Sequence, residues 1–314
     1  MRPRNLFHLE GKKIWVAGET GMVGRALIRR LQSENTIILS APHSFLNLTD
    51  QAEVHAWMAV HKPEVIVMAA GKVGGIAANN DYPADFLFQN LSMAQNVIHA
   101  AFQYKVEKLL YLGSSCVYPK TANQPIKEEA LLTGLLEQTN EAYAVAKITG
   151  LKLCEYYKKQ YGCDFISAMP TNLYGSYDHF GDISSHVIPA IISKIHHAKM
   201  YNESSVILWG TGTPYREFLY VDDLADGLVH LLKYYSDNGS LNIGSGKEIS
   251  IQDLANLVAD IVGYQGVIEF DSSKPDGAPR KFLDCSKMKQ LGWCAKTPLQ
   301  QVLQETYQWF LQNS

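Results

Sequence analysis

The sequence predicts an α/β protein, a Rossmann-type doubly wound parallel sheet with a smaller α/β substrate-binding domain. Two observations carry that expectation. Short, continuously apolar runs alternate with segments of helical spacing through the first half of the chain, as strands do when helices bury both their faces. A glycine triplet, Gly18, Gly21 and Gly24, falls directly between the first apolar run and the first helical segment.

The elements follow in order. "KKIWVAG" (12–18) reads as a buried strand and "MVGRALIRRLQSE" (22–34) as the helix behind it. "TIILS" (36–40) and "EVIVMAAG" (64–71) are strands, with the helix "DQAEVHAWMAVHK" (50–62) between them. "ADFLFQNLSMAQNVIHAAFQYK" (84–105) has the spacing of a long helix and leads into a strand at 108–114. "YAVAKITGLKLCEYYKKQYG" (143–162) is a further helix, and "CDFISAMPTNLYG" (163–175) a strand with its exit loop. Beyond about residue 175 the pattern turns irregular. Short apolar pieces ("SSVILWG", "EFLYVDD", "GSLNIGSG") mix with helix-like ones ("DDLADGLVHLLKYY", "SIQDLANLVADIVG"). The expected division is a dinucleotide-binding domain over 1–175, with a segment near 217–245 returning to it, and a substrate domain over 176–314. The sequence has no internal repeat, low-complexity tract or long linker.

Composition narrows the function. A chain of 314 residues, 46% of them apolar, can bury a large core. A net charge of −3 gives no general attraction to nucleic acid or anionic membrane. No apolar run approaches the roughly 20 residues that span a bilayer. The start, "MRPRNLFHLEGKK", is basic but lacks the apolar centre of a secretory signal. Five scattered cysteines, without CxxC or a metal-type cluster, suit free thiols in a reducing cytoplasm. A cytoplasmic protein without metal is expected.

Glycines at a first strand-to-helix turn let the backbone approach a pyrophosphate, and the helix N-terminus supplies free N–H groups. Here the spacing is GxxGxxG. NAD enzymes usually carry an acid at the end of the second strand, to bind the ribose diol. "TIILSAPHS" has none, which tilts the expectation to NADP, yet it has no Arg for a 2′-phosphate either. Ser40, His43 and Ser44 are the nearby candidates, while Glu19 and Thr20 fill the turn.

Tyr143 and Lys147 form YxxxK, and residues four apart share a helix face. A nearby ammonium is expected to lower the tyrosine pKa and make the phenol a usable proton donor or acceptor. Such a spacing arises by chance among 17 tyrosines, and Tyr104 with Lys108 makes another that straddles a helix end. Placement favours Tyr143, which opens a helix after the fourth strand, whose end carries Ser114 and Ser115. Cys116 follows in "GSSCVYPK"; free cysteine is often simple core, but this one sits where the chain leaves the sheet.

The glycine turn, the serine pair and YxxxK together resemble the extended short-chain dehydrogenase/reductase family. "KVGGIAANNDYPADF", "LGSSCVYPK", "NEAYAVAK", "MPTNLYG", "SHVIPA", "WGTGTPYREFLYVDD" and "SKPDGAPRK" narrow the resemblance to members that epimerise and reduce a GDP-linked 4-ketosugar. These motifs extend it over nearly the whole chain. The resemblance implies GDP-4-keto-6-deoxy-D-mannose as substrate, inverted at carbons 3 and 5 and then reduced at carbon 4 by NADPH. It implies Cys116 as base, His186 as the acid on the opposite face, and Ser114 with Tyr143 on the ketone oxygen. Tyr143 would then protonate the alkoxide, with Lys147 tuning it and binding the nicotinamide ribose.

The candidate cofactor contacts are Gly18, Gly21, Met22, Val23 and Gly24 in the turn and Ser40 after the second strand. After the fourth come Leu112, Gly113, Ser114 and Ser115, with Lys147 on the helix beyond. Pro170, Asn172 and Leu173 follow the fifth strand, and His186 completes the set. By resemblance Lys194, Trp209 and Arg216 hold the GDP moiety. The plain alternatives are a solvated lysine, a core tryptophan and a structural ion pair. Asp276 either contacts sugar hydroxyls or shapes a turn with Gly277. His196 and His197 look like one helix face with no metal partner, and the other cysteines like packing. Rival functions are a sister enzyme on a colitose-type GDP-4-ketohexose, a single-function 4-reductase and a non-catalytic NADP sensor. Helices 84–105 and 143–160 are rich in apolar and aromatic residues, and the resemblance implies that they pack against a second copy in a homodimer.

Overall fold

The computed structural model describes residues 6–180, 185–274 and 276–313. β1 (Lys13–Ala17) shows why the first strand is a strand: its side chains alternate between two buried faces. Trp15 and Ala17 enter one core, Ile14 and Val16 the other. α1 (Met22–Leu31), β2 (Ile37–Leu39) and α2 (Gln51–His61) follow. The Asp50 carboxylate caps α2 by accepting from the Ala52 and Glu53 N–H groups, and Lys62 ends it at φ 48°. β3 (Val65–Met68) leads to a short α3 (Ile76–Asp81) and to α4 (Pro83–Gln103), whose first residue is a proline with its φ preset for a helix. β4 (Lys108–Leu112), α5 (Glu141–Tyr161, ended at Gly162 with φ 72°) and β5 (Phe165–Pro170) complete the first half.

The chain passes from β5 almost directly into β6 (Asn172–Tyr174), then α6 (Val187–Met200), β7 (Ser205–Trp209) and β8 (Tyr215–Tyr220). α7 (Val221–Tyr234) and β9 (Ser240–Ile243) return to the first half. β10 (Glu248–Ser250), α8 (Ile251–Val262), β11 (Val267–Asp271), β12 (Arg280–Lys281), α9 (Ser286–Gln290) and α10 (Leu299–Asn313) close the chain.

The main sheet runs β2-β1-β3-β4-β5-β9, every pair parallel. One face is covered by α2, α4 and α5 through Met58, Val97, Ile98 and Leu151. The other is covered by α1 and α7 through Leu27, Leu31, Leu224 and Leu228. Truncating a fully buried leucine such as Leu228 to alanine costs about 2–5 kcal/mol. A smaller sheet centres on β8, flanked by antiparallel β10, with β12 and β6 parallel to it. β7 and β11 form a separate parallel pair. α6, α8 and α10 bury these strands with Ile191, Val258 and Phe310. No helix among the described residues is long and apolar enough to cross a membrane.

Two of the helices start earlier than the sequence pattern suggests, α4 at Pro83 and α5 at Glu141. The six-residue α3 is too short for its period to be read. Tyr104 and Lys108 do not form a site: Lys108 is fully buried, donating to Asp164 at 2.8 Å and to the Tyr235 carbonyl at 2.7 Å.

Candidate active site

Between β1 and β3 the chain order reverses, the place where open parallel sheets bind ligands at the strands' C-terminal ends. The glycine turn lies there. Gly18 has φ +96°, and a Cβ on it would sit 2.6 Å from the Ala70 nitrogen, so the turn lies directly against the exit of β3. A Cβ on Gly24 would overlap the Gly18 carbonyl oxygen. Gly21 has room for a side chain but serves as the N-cap of α1. No side chain caps that helix, which leaves the N–H groups around Met22 and Val23 to an anion. Ser40 leaves β2 exposed, and its hydroxyl donates to Glu19 Oε1 at 2.9 Å. Glu19 itself is buried within the turn. This close-packed, uncapped cradle fits a dinucleotide.

The exit of β4 supplies the chemistry. Leu112 ends the strand, Gly113 donates its N–H to the Ala168 carbonyl at 2.8 Å, and the chain tightens into a single 3₁₀ turn over Ser115–Val117. The Ser114 hydroxyl accepts from the Cys116 N–H at 3.3 Å and also hydrogen-bonds the Tyr143 phenol. Ser115 is buried in the turn. Lys147 is enclosed one helical turn beyond Tyr143, and its ammonium donates to the Leu112 carbonyl at 2.9 Å.

That orientation corrects one expectation. Lys147 lies 5.7 Å from the Tyr143 ring and spends its bond on the backbone. Burial pushes the Tyr143 hydroxyl above the ordinary tyrosine range, the charge of Cys116 adds to this, and only the Ser114 bond opposes it. The phenol therefore stays protonated at neutral pH and is a donor. Lys147 is itself pushed down to about 8, chiefly by burial.

Cys116 is partly exposed, and two donors converge on its sulfur: Asn140 Nδ2 at 3.3 Å and Lys281 Nζ at 3.6 Å. Neither partner was given a role on sequence grounds. Lys281 belongs to β12, at the far end of the chain, and is the last residue of the motif "SKPDGAPRK".

The NAD dependent epimerase/dehydratase family profile matches residues 14–244. The chain belongs to that family. It is 55% identical, over 98% of its own length and 98% of the other's, to a GDP-L-fucose synthase of Sinorhizobium fredii. It is 39% identical, over 95% of its length and 98% of the other's, to a GDP-L-colitose synthase of Yersinia pseudotuberculosis. Among solved structures, a GDP-L-fucose synthetase of Naegleria fowleri bound to NADP superposes with a TM-score of 0.90 at 28% identity, covering 99% of this chain and 97% of the other.

In this member of the epimerase/dehydratase family, β6 carries Asn172 and Leu173 straight on from Pro170 at the end of β5. Asn172 spends its side-chain amide on the Glu217 carbonyl at 2.9 Å, which reinforces the pairing of β6 with β8 in the smaller sheet. His186 is the N-cap residue of α6, half exposed, with Nδ1 3.8 Å from the buried Asp178 carboxylate. Lys194 projects from α6, donates to the Ile207 carbonyl at 3.3 Å and lies 5.6 Å from the half-exposed Trp209 ring. Lys274 lies 5.5 Å from the same ring. Arg216 donates to the Tyr215 carbonyl at 2.8 Å and the Asp276 carbonyl at 3.2 Å. Both Asp276 carboxylate oxygens are taken by Thr211, its N–H at 2.7 Å and its hydroxyl at 2.8 Å. The structure thus joins Ser114, Cys116, Tyr143 and Lys147 in one group, Lys194 with Trp209 in a second and Arg216 with Asp276 in a third. His196 turns inward to the Tyr307 hydroxyl at 3.0 Å, while His197 is exposed.

Proposed function

We propose that the protein converts GDP-4-keto-6-deoxy-D-mannose to GDP-L-fucose, by inversion at carbons 3 and 5 followed by reduction of the carbon-4 ketone. The observation that carries this reading is the Cys116 sulfur beside the Ser114–Tyr143 pair, with Asn140 and Lys281 as donors. A plain ketoreductase needs the tyrosine, serine and lysine but has no use for a second, thiol-based acid–base group. The 55% identity to a GDP-L-fucose synthase supports the same substrate.

The chemistry follows from the placement. Protons on carbons flanking a ketone are acidic because the enolate places charge on oxygen. Cys116 removes the proton from carbon 3 and then from carbon 5, while Asn140 and Lys281 steady the charge on sulfur. His186 returns a proton on the other face, its ring turned toward Asp178. Ser114 and the protonated Tyr143 hydrogen-bond the carbon-4 oxygen and hold the enolate's charge. NADPH, when bound in the glycine cradle, supplies the hydride for carbon 4. Tyr143 then gives its proton to that oxygen, and Lys147 holds the site's inner wall at Leu112 and the nicotinamide ribose.

The half built on the main sheet holds the dinucleotide, and the half built around β8 holds the GDP moiety through Lys194, Trp209 and Arg216. We assign the protein to the cytoplasm, as suits an enzyme with free thiols that consumes a nucleotide sugar and NADPH. The packed pair α4 and α5 leaves Phe88 67%, Tyr156 55% and Tyr161 53% exposed, an aromatic face suited to a second copy of the chain. Light scattering at micromolar concentration should give the mass of a dimer; a monomer mass would exclude that contact.

Turnover with NADPH and GDP-4-keto-6-deoxy-D-mannose, with the product sugar identified by NMR, tests the reaction. GDP-L-fucose is expected. A reduced sugar that keeps the D configuration would make the protein a single-function reductase.

A further inference from the structure

We infer that Glu19 and Ser40 form an adenosine-ribose subsite for an unphosphorylated 2′-hydroxyl, so that NADH is bound about as well as NADPH, a reading that rests on the glycine turn being the dinucleotide cradle. In this fold the second strand's C-terminal end reads the 2′ position: an acid there accepts from the hydroxyl, an arginine there holds a phosphate. This chain has no acid at that point of the strand. The structure shows that it brings one from elsewhere. Glu19, inside the glycine turn, is only 7% exposed, and its carboxylate meets Ser40 at the exit of β2, where Ser40 Oγ donates to Oε1 at 2.9 Å.

The remaining capacity of this pair suits a hydroxyl. A ribose 2′-hydroxyl can donate to the carboxylate and accept from, or donate to, the serine. A 2′-phosphate offers the carboxylate only acceptor oxygens of its own sign, and juxtaposing like charges is costly. The buried Glu19 side chain cannot turn out to water without losing its packing in the turn.

Nor is a compensating cation at hand among the described residues. No lysine or arginine occurs in the sequence between Arg30 and Lys62. On α1, Arg25 donates through Nε to the Thr20 carbonyl at 2.8 Å and lies over the Tyr177 ring. Arg29 is paired with Asp222, and Arg30 with Asp226 and Glu34. His43, three residues after Ser40, is exposed.

Calorimetric titration of the full chain with NADH and with NADPH, without any sugar, tests this. The two dissociation constants are expected within about tenfold of each other. A larger preference for NADPH would overturn the inference. Glu19→Gln should shift the ratio toward NADPH by roughly tenfold, since it removes the like charge; an unchanged ratio in the folded variant would remove Glu19 from the subsite. Because Glu19 is buried, Ser40→Ala at the exposed partner gives an independent readout. It should weaken NADH several-fold and leave NADPH unchanged, whereas equal weakening of both would count against the subsite. If neither dinucleotide binds, this inference and the cofactor reading fall together. If both bind alike but the GDP-ketosugar is not turned over, the subsite stands and the proposed reaction falls.

Discussion

The Lys281 ammonium lies 3.6 Å from the Cys116 sulfur, although 165 residues separate them in the chain. The smaller sheet makes the contact possible. β12 pairs with β8 through Lys281 and Arg216, and β8 pairs with β6, the direct continuation of β5. A lysine from the C-terminal part is thereby delivered to the exit of β4. Lys281→Met should slow exchange of the carbon-3 and carbon-5 protons by about 10–100-fold, the lower range of a positioned acid–base contribution. Lys281→Arg should restore part of it by keeping the charge. Deuterium wash-in followed by NMR reads both variants; unchanged exchange in Lys281→Met would reduce the contact to packing.

Tyr143 and Cys116 should be separable by step. Tyr143→Phe removes the proton donor for the carbon-4 oxygen and should lower reduction by about 10²–10⁴-fold. Exchange at carbons 3 and 5 should persist more strongly, because Ser114 still contacts the same oxygen. NADPH consumption and deuterium wash-in, measured on the same variant, distinguish the two. Equal loss of both would mean that the phenol, not the serine, holds the enolate.

Lys147 makes stability depend on pH. Its native pKa is pushed down from 10.5 to about 8, chiefly by burial. Between those values the unfolded chain binds more protons than the native one, so stability rises with pH across that window. The burial penalty is fully present below about 8 and relieved as pH approaches 10.5. Between pH 8 and 9.5 the wild type should gain on the order of 1–2 kcal/mol relative to Lys147→Met. Urea midpoints of the two proteins at both pH values check this; parallel curves would show that the lysine does not titrate there.

Glu217 ties β8 to the loop between β9 and β10 and to the chain just after β12. It is fully buried and accepts the Gly246 N–H at 2.7 Å and the Leu283 N–H at 3.1 Å. Burial pushes its carboxyl up, while these bonds pull it back. Glu217→Gln turns one of the two acceptors into a donor facing a backbone N–H, and should destabilise the fold by about 1–3 kcal/mol. A urea midpoint equal to that of the wild type would contradict this.

What could be read from the sequence was local. Gly18, Gly21 and Gly24 announce their turn because the backbone geometry they permit spans seven residues, and YxxxK needs only one helical turn. The alternation of Ile14, Trp15, Val16 and Ala17 encodes a strand covered on both faces. Lys281 was illegible because its meaning depends on a sheet pairing far along the chain, and Asn140 because spacing alone does not show that the turn before α5 meets the exit of β4. The place of Glu19 depends on its bond to Ser40, 21 residues further on, which spacing does not show. The direction of the Tyr143 shift was missed for a physical reason: spacing shows neither that the phenol is buried nor that Lys147 is turned to the Leu112 carbonyl.

The central claim is that one site performs both inversion and reduction. Turnover of GDP-4-keto-6-deoxy-D-mannose with NADPH in D₂O, with deuterium located in the product by NMR, tests it most directly. Solvent deuterium at both carbon 3 and carbon 5 of GDP-L-fucose is expected, and its loss in Cys116→Ser would tie the label to the thiol. A reduced product without deuterium at either carbon would contradict the claim and leave Cys116 and Lys281 outside the chemistry.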